Sequence, residues 1–324
     1  MKKISSNLIA ITEILSDLQY HDGSSIGTKL NITRSAVWKN IKKLEVYGIE
    51  IDSHKTKGYC LKDPLILLDE DQIKSKLDDD QINLEVFETL GSTNDHIKNI
   101  KTKDKTTICI AEHLSNARGR MGRKWQAPFG KNIYLSLGCY FKKDFSELSG
   151  LSLITGLALI KSFQILDLKE KLSLKWPNDI LSSDGKIAGI LIEVLAEANG
   201  SAYVIIGIGL NVNMKSDPNE DITQKWNSLV NLKGKHINRN QLSASIINQL
   251  SKYLEKFNQV GLEGFIDEWQ GADILYNQQI KILSGNVEIQ GIAKGINKYG
   301  NLMIELASGE LKACSSGDST IVKK

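Results

Sequence analysis

Eight consecutive residues, Arg118-Gly119-Arg120-Met121-Gly122-Arg123-Lys124-Trp125, hold four cations and two glycines. Cations at that density favour an anionic partner, because an arginine fork donates paired hydrogen bonds to carboxylate or phosphate oxygens. Gly119 and Gly122 let the backbone approach a ligand closely and leave the loop mobile until it is filled. Taken alone, the same composition also suits a solvated basic loop or a nucleic-acid contact. Both flanks read as strands. Residues 106–112 (TTICIAE) are rich in β-branched side chains, and residues 132–140 (NIYLSLGCY) alternate with the period of a half-buried strand. The cationic stretch is therefore a connection between strands.

Four further stretches could do chemistry beside it. Gly91-Ser92-Thr93-Asn94 follows a strand-like run (84–90) and opens a helix, so it presents hydroxyls and unpaired backbone N–H groups; a plain helix cap at Ser92 or Thr93 explains it equally. Lys175-Trp176-Pro177-Asn178-Asp179 closes a short strand. Beside a bound triphosphate Asp179 would be a Mg²⁺ ligand, and otherwise it caps the turn or pairs with Lys175. The run GKIAGILIE (185–193) puts Lys186 at the mouth of a buried strand, where a lone lysine is commonly a surface residue, with Gly189 permitting close approach. Gly207-Ile208-Gly209 leads to Asn211, without the third glycine and following helix of a dinucleotide fingerprint. No G-x-x-x-x-G-K-[ST] occurs, so nucleotide binding needs another geometry. Trp226, after a polar stretch at 214–225, reads by itself as a packing anchor.

The elements before this region form a separate unit. Leu8, Ile11, Ile14, Leu15 and Leu18 recur at helical spacing, which predicts a helix ending near Gly23. Ser24 or Ser25 caps a second helix through Leu30, and Thr33 or Ser35 caps a third that runs to about Tyr47. In the third, Val37, Ile41 and Leu44 share one face while Ser35, Lys39 and Lys42 lie on another. Residues 49–52 and 59–61 then read as a two-stranded wing around His54-Lys55-Thr56-Lys57-Gly58. This order resembles a winged helix-turn-helix, with Thr33, Arg34, Ser35, Lys39 and Lys42 aimed at the DNA groove and Lys55 and Lys57 at phosphate. Pro64 breaks the chain, and Asp69 caps a short linker helix.

The five ordered motifs together resemble those of the biotin protein ligases. With the N-terminal unit, the whole chain resembles the bifunctional bacterial biotin ligase and biotin-operon repressor. That resemblance implies an α/β (α+β) fold in four parts: a DNA-binding domain (1–63), a linker (64–82), a class II synthetase-like mixed-sheet domain for biotin and ATP (83–272), and an SH3-like β-barrel (273–324). Short strands from residue 274, with turns at 284–286, 299–301 and 308–310, suit the last.

It further implies that Ser92, Thr93 and Asn94 bind the ureido ring of biotin. Leu114, Arg118, Gly119, Arg120, Lys186, Gly189 and Gly207 complete the biotin site. Arg118, Arg120, Arg123, Trp125, Lys175, Asn178, Lys186, Asn211 and Trp226 would hold the adenylate, with Trp226 stacked on adenine beside a loop that orders around it. Lys186, Arg118 and Arg120 would be catalytic and Asp179 would serve Mg²⁺. The implied reaction forms biotinyl-5′-AMP from biotin and ATP and transfers biotin to a lysine of a biotin carboxyl carrier protein. The same intermediate would act as corepressor for a homodimer on operator DNA. One departure is visible: Leu114 and Ala117 replace the family's Gln and Gly before the first arginine, which removes an amide from the biotin site. The rivals are a lipoate or octanoate ligase and a ligand-sensing transcription factor without catalysis.

Composition sets the outer limits. The chain has 324 residues, 41% hydrophobic and 24% charged, with a net charge of +3, so DNA contact must come from local patches rather than a global field. Four scattered cysteines and five histidines show neither disulfide nor metal-ligand spacing, as expected of a reduced, cytoplasmic protein. No apolar run approaches the roughly 20 residues of a membrane span, and the start is too polar for a signal peptide.

Overall fold

The computed structural model describes residues 2–101, 105–142, 148–196, 201–217, 222–285 and 287–322. A short strand, β1 (Lys2–Lys3), precedes three helices, α1 (Ser6–Leu15), α2 (Gly23–Leu30) and α3 (Arg34–Val46). Ser5, Asp22 and Thr33 cap them by accepting from backbone N–H groups of the first turn. Two expectations about the helices change here. The first helix stops at Leu15 rather than near Gly23, and Leu18 then takes a left-handed φ of 60° that no α-helix accommodates. The second is capped by Asp22, one carboxylate oxygen of which accepts from both Ser24 and Ser25. The wing is an antiparallel pair, β2 (Ile51–His54) and β3 (Gly58–Leu61); Ile49, expected in its first strand, is buried in the head's core instead.

The linker helix α4 (Glu70–Lys74) is capped by Asp69. Central strands and helices follow: β4 (Asn83–Leu90), α5 (Thr93–Asn99), β5 (Thr107–Leu114), β6 (Ile133–Phe141), α6 (Leu151–Ser162), β7 (Ser173–Lys175), β8 (Asp179–Ser182), β9 (Gly185–Ala196) and β10 (Ala202–Leu210). Their sheet runs β1-β4-β5-β6-β10-β9-β8-β7 and is mixed, since β4 and β5 are parallel while the other pairs are antiparallel. Helix α6 starts only after Gly150, which at φ 88° cannot belong to it, and a 3₁₀ turn, Phe163–Leu166, continues it.

Helices α7 (Leu229–Lys233), α8 (Arg239–Val260) and α9 (Ile266–Ala272) follow. Alternation along β10 decides which face does what. Val204, Ile206 and Ile208 join the core shared with α6 and α8, while Tyr203 and Ile205 pack with Ile97 of α5 on the other side. Gly207 and Gly209 continue that second face. Beside α5, then, the sheet ends in backbone without side chains.

Strands β11 (Gln279–Ser284), β12 (Val287–Ile296), β13 (Leu302–Glu305), β14 (Leu311–Cys314) and β15 (Asp318–Ile321) form the C-terminal antiparallel sheet, ordered β14-β13-β12-β11-β15. It docks on Trp176, whose Nε1 donates to Gly300 O (3.0 Å) and whose carbonyl accepts from Ser319 Oγ (2.8 Å). Among the described residues no helix is long and apolar enough to cross a membrane, and no cysteine is in a disulfide.

Candidate functional site

A cavity of about 670 Å³ opens on the glycine-bearing face of the sheet. Ser92, Thr93, Asn94, Leu114, Arg118, Gly119, Arg120, Arg123, Trp125, Lys175, Asn178, Asp179, Lys186, Gly189, Gly207, Asn211 and Trp226 all line it. Stretches more than a hundred residues apart in sequence thus converge on one space.

One end is polar and buried. Ser92 Oγ caps α5 by accepting from Asp95 N (3.2 Å). Ser136 on β6 donates to Asn94 Oδ1 (2.6 Å) and stands 2.7 Å from Thr93 Oγ1. Asn94 Nδ2 donates to Glu193 Oε2 (2.6 Å). A Cβ on Gly207 would overlap the Asn94 amide, so glycine is what lets α5 sit against β10.

The cationic loop spans the cavity, but its arginines are not equivalent. Arg118 forks onto Asp95 (2.7 and 2.6 Å) and lies 3.5 Å from Glu193. Its hydrogen bonds hold the Asp95 carboxyl below the usual carboxylate range, and the guanidinium is raised in return. This differs from the fork open to an anion that the sequence suggested. Arg120 Nη1 donates to Asn178 Oδ1 (3.1 Å), and Arg123 pairs with Asp318 of β15. Trp125 packs on the glycine face, where a Cβ at Gly209 would come within 2.6 Å of its ring. Its Nε1–H is buried and has no hydrogen-bond partner.

Lys186 stands 5.4 Å from the centroid of the Trp125 ring and 2.9 Å from Asp179 Oδ1. The second contact is one of charges without hydrogen-bond alignment, because that oxygen is buried and has no hydrogen-bond donor. Asp179 therefore faces Lys186, not Lys175 as its turn suggested. Burial lowers the Lys175 ammonium, with Asp179 opposing the shift. Asn178 is fixed to β9: its backbone accepts from Ile190 N (3.0 Å) and its amide donates to Ile190 O (2.8 Å).

Trp226 enters through the backbone. Lys186 N donates to Lys225 O (3.0 Å) and Lys186 O accepts from Asn227 N (2.9 Å), so residues 225–227 run along the start of β9. Asn211 Nδ2 donates to Asn227 O (3.1 Å), which gives this side chain a scaffolding task that the sequence did not suggest. Of the polar stretch at 214–225, residues 218–221 lie outside the described residues.

On the head, Thr33, Arg34, Ser35, Lys39, Lys42, Lys55 and Lys57 are all exposed. Lys42 pairs with Glu45 (2.6 Å), and Lys57 lies 5.5 Å from the Tyr20 ring centroid. Sequence reading missed Trp38, half exposed on the same face of α3 as Ser35 and Lys42. It also missed Asp318, Ser319 and Thr320, which line the main cavity from the C-terminal sheet. Nothing in the pattern of a short β-strand marks residues that reach another domain's site.

A mixed sheet carrying this cavity, with a small β unit on one side and a helical head on the other, defines the class. Residues 86–211 match the biotin/lipoate A/B protein ligase family, residues 276–318 the biotin protein ligase C-terminal domain, and residues 7–60 an HTH domain. A biotin protein ligase from Aquifex aeolicus, solved in complex with biotin and ATP, superposes with a TM-score of 0.64 at 27% identity, covering 75% of this chain and 99% of that one. The bifunctional ligase/repressor BirA of Salmonella typhimurium is 34% identical over 97% of both chains, and that of Escherichia coli K12 is 34% identical over 97% of this chain and 96% of its own. The chain belongs to this bifunctional ligase/repressor family.

Proposed function

We propose that the chain condenses biotin with ATP to biotinyl-5′-AMP, passes the biotinyl group to a lysine of a biotin carboxyl carrier protein, and represses transcription by binding operator DNA as a homodimer with the intermediate as corepressor. The observation that carries the ligase reading is the convergence of the polar pocket at Ser92, Thr93 and Asn94 with the cations Arg120, Arg123, Lys175 and Lys186 in one cavity. The biotin carboxylate attacks the α-phosphorus and pyrophosphate leaves; a carrier amine then attacks the mixed anhydride and releases AMP. Neither step needs a side-chain nucleophile. Alignment and neutralisation of crowded negative charge supply the rate.

In this reading Lys186 faces the biotin carboxylate and the α-phosphate, Arg120 and Arg123 face phosphate oxygens, and Arg118 positions the loop through Asp95. Trp125 and Trp226 flank the adenylate, and the buried indole N–H of Trp125 is a donor for it. Among the described residues no three His, Cys, Asp or Glu side chains cluster as a metal site. A Mg²⁺ ion would have to be held by substrate phosphates, water and one carboxylate, and the buried Asp179 Oδ1 that lacks a donor fits that single place. Bound there, the ion would screen phosphate charge. The four-part division at residues 63, 82 and 272 belongs to the same proposal, with Leu65 and Leu67 tying the linker to the head's core.

Pyrophosphate exchange into ATP tests the ligase reading. It should depend on biotin and not on lipoate; exchange with lipoate alone would make the chain a lipoate ligase, and none with either would leave a DNA-binding sensor. For the repressor, a gel shift should show tighter operator binding with biotinyl-5′-AMP present, and equal affinity without it would defeat the corepressor role.

A further inference from the structure

Glu88 lies on β4, three residues before Gly91, and its side chain is fully buried. Its partners come from the head. Lys43 on α3 pairs with Oε2, the Tyr47 hydroxyl at the C-terminal end of α3 donates to Oε1 (2.7 Å), and Lys2 Nζ on β1 lies 3.6 Å from Oε1. Strand β1 covers the spot by pairing with Phe87 and Thr89 on either side. The Tyr47 ring also stacks on Phe129, with centroids 4.1 Å apart and planes 4° from parallel.

A buried carboxylate is costly unless its oxygens are satisfied, and such groups are better explained by the single arrangement they enforce than by net stability. An apolar contact between domains can slide, whereas two oxygens each met by a donor on one helix fix its angle. Motion between domains is the default where nothing of this kind holds them. Here the C-terminal end of α3 is gripped while Arg34, Ser35, Lys39 and Lys42 stay exposed.

We propose that Glu88 is a positioning residue for DNA recognition: it sets the angle of α3 against the central domain, so that a dimer presents its two recognition helices at one fixed separation. The inference rests on the homodimer reading given above. A two-fold reader of DNA registers half-site spacing only if its heads are rigidly held.

The test uses the full-length chain with biotinyl-5′-AMP and an inverted-repeat duplex selected by that chain from a random library. Spacing is then varied by one or two base pairs, and a single half-site serves as control. Glu88→Gln and Tyr47→Phe should bind the selected repeat about tenfold more weakly, roughly 1.4 kcal/mol. Their preference for the selected spacing should shrink to within about threefold, with half-site binding and biotin-dependent pyrophosphate exchange within about twofold of the parent. Variants that keep the parent's affinity and spacing profile would overturn the inference, as would variants that lose half-site binding in proportion, since that means a damaged head rather than a misaimed one. A parent chain with no spacing preference defeats the homodimer reading and this inference together; variants matching a parent that has one defeat this inference alone.

Discussion

The Lys186 ammonium lies 2.9 Å from Asp179 Oδ1, an oxygen that is buried and receives no hydrogen bond. One basic and one acidic side chain are thus held side by side at the mouth of β9, where a carboxylate and a triphosphate are expected to meet. Lys186→Gln should slow biotinyl-5′-AMP formation about 100- to 1,000-fold, the usual loss when a group that stabilises developing charge is removed. Single-turnover kinetics reads it, and an unchanged rate would take Lys186 out of the chemistry. Asp179→Asn should instead raise the Mg²⁺ concentration needed for half-maximal rate.

Arg120 lines the cavity, donates to Asn178 and belongs to the loop that we propose closes over the adenylate. Arg120→Gly should therefore release biotinyl-5′-AMP into solution. Streptavidin blots of an added bystander protein should show labelling with the variant and little with the parent; equal retention of the intermediate would refute the clamp.

Leu114 lines the cavity, and the resemblance given above expects an amide at its position. Leu114→Gln should lower the KM for biotin about fivefold, corresponding to one net hydrogen bond of roughly 1 kcal/mol, with kcat little changed. A KM that rises or stays put would mean that another group already makes that contact.

Asp273 follows α9 and is buried. Burial pushes its carboxyl up to about 6, with the Leu275 N–H opposing, and its Oδ2 has no hydrogen-bond partner. A folded-state pKa above the ordinary 3.8 favours the protonated form, so the contribution to stability is fully present below pH 4 and is lost as pH rises through 6. Asp273→Asn should accordingly stabilise the protein by roughly 3 kcal/mol at pH 8, since each pKa unit is about 1.4 kcal/mol, and by little at pH 4. Denaturant unfolding at the two pH values measures it; equal effects at both would show that the charge carries no penalty.

Local pattern carried the head a long way. Thr33 caps α3 as its position before an amphipathic run suggests, and Val37, Ile41 and Leu44 are its buried face. Helix ends fared worse. Asp22 outcompeted Ser24 and Ser25 as the cap of α2, because its carboxylate, placed just before the helix starts at Gly23, reaches both of their N–H groups.

The site divides in the same way. Residue types and motif order, read through the resemblance to the biotin protein ligases, named side chains that line one cavity; by themselves Lys186 and Trp226 read as a surface lysine and a packing anchor. Which of them are already engaged was settled only by tertiary structure. Arg118 is tied to Asp95, Arg123 to Asp318 and Lys186 to Asp179. The grip of Glu88 on Lys43 and Tyr47 was equally hidden, since it spans more than forty residues and two domains. A sequence specifies each partner's charge and reach, but a pairing depends on distances that exist only after the sheet, the head and the C-terminal unit have packed together.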